Sequence, residues 1–319
     1  MEYIKIAGTS LTTSRAVLGT MTFGAQLDED GSRRAIDIAL EYGINHIDTA
    51  NSYTDGASEE IVGRALGARR EKVILATKAF NPVRGVQGLD RRSIRRALED
   101  SLRRLGTDYV DLFYLHQPDW NTPIEETLAA LQQLIDEGKV RYPAISNYAA
   151  WQVAEIRAIQ SVSGFAPTHV AQLMYNAITR DIEQEYASFA ERFDMSTFVY
   201  NPLAGGLLTG KYASISDKVD PGSRFSKAEY RARYWSDRQF AAAGTVAKLA
   251  TEWSTDPVSL SLGWVLAQPT VTGVILGASS IEQLESNLAA VETEFDPIWA
   301  EQLDGVWREL RGSGPAYNR

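Results

Sequence analysis

Asp48, Tyr53, Lys78 and His116 are four residues whose types, taken together, can move a proton. A tyrosine hydroxyl is a weak acid with an ordinary pKa near ~10. An ammonium beside it favours tyrosinate and draws that value down. A carboxylate holds the ammonium in place, and a histidine can orient a carbonyl oxygen or share its proton. Such a set can protonate a carbonyl oxygen as hydride arrives at the carbon. Each residue alone has a plainer reading. Asp48 could cap the segment after it, Lys78 could be a solvated strand end, and His116 could be a satisfied core histidine.

What draws them together is the pattern of elements. Short β-type runs alternate with longer helical ones, the order expected of βαβ units. Strands are expected at 15–19, 45–48, 73–77, 109–115, 140–146, 169–172, 197–200 and 271–275. Helices are expected near 33–42, 58–66, 91–104, 123–137, 149–160, 182–193, 239–252 and 280–290, with a further helical piece after 296. Runs apolar on both sides suit strands covered on both faces, as in parallel sheets. Thr122 and Pro123 read as an N-cap and first-turn proline, and Gly138 as the stop of that helix. Eight such units point to an α/β fold, a (β/α)8 TIM barrel spanning 1–319 as one domain. A doubly wound sheet would call for fewer strands and a G-x-G-x-x-G turn, which does not occur. The first fourteen residues could form a hairpin closing the barrel bottom, and 203–236 forms a long loop after strand seven, functional or disordered. In a barrel the chemistry sits just after the strands. Asp48, Lys78 and His116 fall there, and Tyr53 lies five positions past Asp48.

Composition removes other classes. The chain has 319 residues, 44% hydrophobic, and no cysteine, so a disulfide framework, a thiolate metal site and a catalytic thiol are all excluded. The formal charge of -9 argues against a nucleic-acid partner. No apolar run reaches the ~20 residues of a membrane helix. The expectation is a soluble, cytoplasmic protein without a metal. Only three histidines occur, His46, His116 and His169, and no H-x-H supports a metal hydrolase. His46 shares a strand face with Asp48 and reads as packed or hydrogen-bonded near the site. A glycosidase needs two strand-end carboxylates, and Asp111 lies inside a strand. The segment Gly205 to Lys211 fits G-x-x-x-x-G-K, but Tyr212 stands where a P-loop needs Ser or Thr.

Several strings resemble the aldo-keto reductase superfamily: His46-Ile-Asp-Thr-Ala50-Asn-Ser-Tyr53, Ala76-Thr-Lys78, the run from Gly106 to His116, and Ile145-Ser-Asn147. Leu112 to Asp119, Ser146 to Trp151, Met174 to Arg180 and Asn201 to Tyr212 look most like the branch of aflatoxin-aldehyde and succinic-semialdehyde reductases. The resemblance runs through essentially the whole chain. It implies a (β/α)8 barrel, NADPH, and reduction of an aldehyde or ketone to an alcohol. Tyr53 is then the general acid, Lys78 and Asp48 tune it, and His116 positions the carbonyl.

The resemblance also implies the cofactor side. Ser146, Asn147 and Gln172 hold the nicotinamide carboxamide, and Tyr200 stacks on its ring. Asn201, Pro202, Leu203, Gly205, Gly206, Leu207 and Lys211 wrap the pyrophosphate, and Arg224 matches a cofactor-contacting arginine. Gly277, Ser279, Ser280, Gln283 and Asn287 sit where the adenosine phosphate binds. The two serines replace the Lys or Arg of many members, and helix capping is an equal reading for them. Tyr230, Arg233 and Arg319 match substrate contacts, often supplied by a neighbouring subunit, which would make the protein a homodimer. An arginine can hold a carboxylate bidentately, so the substrate is expected to be a carboxylate-bearing or dicarbonyl aldehyde. Solvated arginines are the competing reading. Two departures stand out: Arg141-Tyr-Pro143-Ala144 replaces an apolar-Gly pattern, and the tail from Gly314 to Arg319 keeps only part of the family's character. The rival reading is an NADPH-binding regulatory subunit, like channel β-subunits, with little turnover.

Overall fold

Eight parallel strands close on themselves in the computed structural model, which describes residues 1–219 and 221–312. The antiparallel hairpin β1 (Tyr3–Lys5) and β2 (Thr12–Ser14) comes first. The barrel strands are β3 (Ala16–Gly19), β4 (His46–Asp48), β5 (Ile74–Ala79), β6 (Val110–Leu115), β7 (Val140–Ser146), β8 (Val170–Met174), β9 (Ser196–Tyr200) and β10 (Val271–Leu276). They neighbour one another in chain order, and β10 closes the ring on β3 with Ile275 opposite Val17. The helices are α1 (Glu29–Glu41), α2 (Ala57–Leu66), α3 (Arg91–Leu105), α4 (Ile124–Asp136), α5 (Ala150–Ser163), α6 (Tyr186–Arg192), α7 (Ala228–Tyr234), α8 (Asp237–Glu252), α9 (Pro257–Leu266), α10 (Ile281–Ala290) and α11 (Ile298–Arg311). The expected TIM barrel and its N-terminal hairpin are both present. Among the described residues no helix is long and apolar enough to cross a membrane.

Period-two alternation along each strand builds the interior. Val17, Ile74, Ala76, Leu112, Tyr114, Ala144, Val170, Phe198 and Ile275 fill it, with Ile6 of the hairpin turn packed against them. Continuing the same face upward changes the chemistry. Ile74 and Ala76 are followed by Lys78, Leu112 and Tyr114 by His116, Ala144 by Ser146, Val170 by Gln172 and Phe198 by Tyr200. The inward face is therefore apolar low in the barrel and polar at its C-terminal rim. A second, larger core lies between strands and helices, where Leu98 and Leu102 of α3 and Leu128 and Leu131 of α4 are buried.

One local expectation needs correction. Thr122 does not cap α4. Its hydroxyl donates to Asp119 at 3.0 Å, and Pro123 occupies the cap position. Pro143 lies within β7 opposite Phe113, and the pairing continues to Ser146 opposite Gln172. The described part of the long segment after β9 folds into short elements. It contains α7 and two 3-10 turns, Ala204–Thr209 and Arg224–Ser226. Its own aromatic core holds it together: Phe225 lies 4.8 Å from Trp235 and Tyr212 lies 5.4 Å from Phe225, ring to ring.

Candidate active site

The centre of the site is a buried charge. Lys78 is fully enclosed, and its Nζ donates to Asp48 Oδ2 at 2.5 Å, to the Thr49 carbonyl at 2.8 Å and to the Tyr53 hydroxyl at 3.4 Å. An ammonium isolated in such a place would give up its proton. Burial does oppose the charge, but Asp48 and Tyr53 together outweigh it, and the Lys78 pKa sits above its ordinary value. Asp48 is anchored on its other oxygen by the Gln172 amide at 2.8 Å. Tyr53 opens a tight turn that follows β4. Thr54 and Asp55 adopt φ of 50° and 52°, left-handed values uncommon outside glycine.

Tyr53 keeps its proton. Burial raises its pKa above 10, against the downward pull of Lys78. The ammonium therefore moderates the rise rather than producing a net fall. The His116 ring lies edge-on to Tyr53, 6.3 Å between centroids. Burial and the Lys78 charge bring the His116 pKa down to about 3, so the imidazole is neutral at physiological pH. Asn81 Nδ2 lies 3.2 Å from His116 Nδ1. The structure thus brings Asp48, Tyr53, Lys78 and His116 together, as a donor, its charged support and a neutral imidazole.

His46 is apart from this group. It points into the barrel two residues below Asp48, bonds Thr13 of the hairpin at 3.1 Å and packs edge-on against Phe198. Its pKa falls to about 3 through burial and Lys78. Asp111 is equally structural, held between Arg70 and Arg141 at 2.8 Å each.

Around the rim, Asn147 (φ 64°) donates to the His116 carbonyl at 2.9 Å and to Ser146 Oγ at 3.0 Å, and accepts from the Tyr200 hydroxyl at 2.7 Å. Gln172 Nε2 donates to Asp48 Oδ1 at 2.8 Å, which ties this rim residue to the Asp48–Lys78 pair. The turn from Asn201 through Pro202, Leu203 and Leu207 is strongly left-handed, with φ of 57° at Asn201, 50° at Ala204, 69° at Gly205 and 106° at Gly206. Space is open above Gly206, where a Cβ would meet nothing within 4 Å. Arg224 donates to Asn201 Oδ1 at 2.9 Å, while Asn201 Nδ2 is buried without a partner. The Arg224 guanidinium also lies against Gly277, 2.7 Å from where a Cβ would stand. Glycine at 277 is what lets this cation bridge the loops after β9 and β10. A guanidinium and an unpartnered amide donor beside an open glycine turn suit a phosphate oxygen. Lys211 is exposed at the end of this turn.

Ser280 caps α10 by accepting from Gln283 N–H at 3.3 Å. Ser279 donates to Gln283 Oε1 at 2.8 Å, and Asn287 reaches the Gly277 carbonyl at 3.5 Å. Tyr230 is buried between two cations, with Arg224 and Arg233 each 5.6 Å from its ring centre. Arg233 also pulls on the Tyr200 hydroxyl, whose pKa burial pushes up to about 12. It lines a cleft of about 430 Å³ with Met174, Tyr234, Arg238 and Arg311. Arg231 instead bonds the Phe225 carbonyl at 2.7 Å. Arg319 and the tail after Gly312 lie outside the described residues. Asn81 and Thr49 carry no charge, so no pattern of ionisable groups in the chain points to them. The position of Asn81, just past the end of β5, is the signal that would have flagged it.

A barrel with these groups on its rim matches a known family over nearly its whole length. The model of the Aldo/keto reductase family matches residues 15–308. Aflatoxin B1 aldehyde reductase member 2 of Rattus norvegicus is 43% identical, over 95% of this chain and 87% of its own. Aldo-keto reductase family 7 member A3 of Homo sapiens is 42% identical over 95% of this chain and 96% of its own. A probable voltage-gated potassium channel subunit beta of Oryza sativa subsp. japonica is 33% identical over 92% of each. The chain belongs to the aldo/keto reductase family and is an oxidoreductase.

Proposed function

We propose that this protein reduces an aldehyde or ketone to an alcohol with NADPH, in the cytoplasm, as one barrel unit over 1–319. The observation that carries the reading is the buried chain from Asp48 through Lys78 to the Tyr53 hydroxyl, with links of 2.5 and 3.4 Å. Bound NADPH supplies the hydride. The chain's own residues do the rest. Tyr53 gives its proton to the carbonyl oxygen, and Lys78 stabilises the tyrosinate left behind by Coulomb attraction in a low-dielectric site. Asp48, braced by Gln172, keeps Lys78 charged and aimed. Neutral His116 orients the carbonyl oxygen. Ser146, Asn147, Gln172 and Tyr200 form the nicotinamide side, and Arg224 with Asn201 receives phosphate. Gly277, Ser279, Ser280, Gln283 and Asn287 take the adenosine end. Arg233 beside Tyr230 supports a substrate bearing a carboxylate or a second carbonyl.

The test is NADPH oxidation by purified protein with succinic semialdehyde and with a neutral aldehyde of equal length. Turnover of both is expected, with Tyr53→Phe losing roughly 10²–10⁴-fold in kcat. Arg233→Ala is expected to weaken the acidic substrate more than the neutral one, and equal loss would remove the carboxylate reading. The rice relative's name favours a second reading, a cofactor-binding subunit with little turnover. Tight NADPH binding with no turnover on any carbonyl would select it.

A further inference from the structure

His116 has two ring nitrogens, and what it offers a substrate depends on which one carries the proton. Asn81 Nδ2 stands 3.2 Å from His116 Nδ1. An amide NH2 only donates, so a neutral ring that bonds it accepts at Nδ1 and carries its proton on Nε2. The loop that carries Asn81 is held shut. Gly88 N–H donates to the Phe80 carbonyl at 2.9 Å, and Val83 and Val86 exchange backbone bonds at 3.0 and 2.9 Å. Phe80, immediately before Asn81, has φ 147°. That region is nearly restricted to glycine, and such strain persists only where the surroundings enforce it. The charged and titratable groups near the ring are Tyr53, edge-on to it, and Lys78, with Asp48 behind Lys78. None of them takes a proton from Nδ1 in this structure.

We infer that Asn81 is a positioning residue: by donating to Nδ1 it holds the His116 proton on Nε2, so that the ring presents a donor, not a lone pair, to the carbonyl oxygen. With the amide reversed, Nδ1 would hold the proton and the Nε2 lone pair would repel that oxygen. The inference rests on the reading of His116 as the group that orients the carbonyl.

Long-range ¹H–¹⁵N spectra of the full chain labelled at histidine test it without any substrate. Three histidines make three spin systems, and His116→Gln assigns the one in question. The wild type at neutral pH is expected to show His116 protonated at Nε2 only. Asn81→Asp replaces the donor with an acceptor and is expected to put a proton on Nδ1. In that variant kcat/KM for an aldehyde should fall by about tenfold or more at pH 8. It should recover as pH falls and the ring gains its second proton, with NADPH affinity unchanged. Asn81→Ala should mix the tautomers and lose kcat/KM without that recovery. A wild-type spectrum with the proton on Nδ1 overturns the inference. So does an Asn81→Asp spectrum that moves while kcat/KM stays level; Tyr53→Phe then judges the reductase reading separately.

Discussion

At the scale of residues, the site works through a hierarchy of burial. Lys78 keeps its charge only because Asp48 and Tyr53 reward it, and Tyr53 keeps its proton because burial outweighs Lys78. The sign of the pH dependence follows. On the proposed mechanism Tyr53 must be protonated, so reduction is expected to fail when Tyr53 ionises, above its ordinary value near ~10. His116, lowered to about 3, is already neutral far below that. The expected profile of kcat/KM is flat from about pH 6 to 9, checked with a carbonyl that does not itself ionise. A break near neutrality that disappears in His116→Gln would contradict this assignment. Asp48, Lys78 and His116 of the candidate set were legible in the chain because residue type and strand end coincide, and Tyr53 because it follows Asp48 by five positions. Asn81 was not, because nothing about an uncharged amide marks it until its neighbour is known.

At the scale of elements, α2 and α3 are locked by a buried ion pair and by a missing side chain. Arg104 Nε lies 2.7 Å from Glu59 Oε2, with Glu59 fully buried and Arg104 half-buried, and Thr77 donates to the other Glu59 oxygen at 2.5 Å. Burial raises the Glu59 pKa, against the pull of Arg104 and Thr77. A carboxyl raised in the folded state binds its proton more tightly there, so its contribution to stability is lost as pH rises. Arg104→Met leaves the carboxylate buried and unpaired, a loss of about 3–5 kcal/mol. The loss should be larger at pH 7 than at pH 5, measured by urea unfolding at both. Gly63 faces the α3 end so closely that a Cβ would stand 2.5 Å from the Leu105 carbonyl oxygen. Gly63→Ala should push the helices apart and cost about 1–3 kcal/mol, read as a lower Tm. The amphipathic helices were legible: α3 was expected over 91–104 and spans Arg91–Leu105. Helix α9 was missed because Leu260, Leu262, Trp264 and Val265 are buried on all sides and no polar face marks a period. Its Asp256 cap and Pro257 were the signal available.

At the scale of the whole molecule, the rim is assembled from distant chain segments, and ligand binding should tie them together. Arg224 of the long loop meets Asn201 after β9 and Gly277 after β10. NADPH at about 100 times its Kd should stabilise the fold by about 2.7 kcal/mol. NADH at the same concentration should give a smaller rise in Tm, and Arg224→Ala should lower the rise from both cofactors, because the pyrophosphate is common to the two. Equal shifts from both cofactors would remove NADPH preference.

What the sequence by itself determined was the order of eight βα units and the residues that end their strands. Both follow from local rules, a period of two along a strand and of 3.6 along a helix. Those periods alone set Lys78, His116 and Ser146 on the same faces as the apolar residues beneath them. Tertiary structure alone decided which polar groups pair. Gln172 braces Asp48 across 124 residues of chain, and Arg224 rather than Lys211 is the cation held against Asn201 and Gly277. It also decided that Tyr53 is a stronger holder of its proton than its ammonium neighbour suggests. Desolvation and hydrogen-bond geometry depend on everything that surrounds a group, and no local pattern in the chain records that.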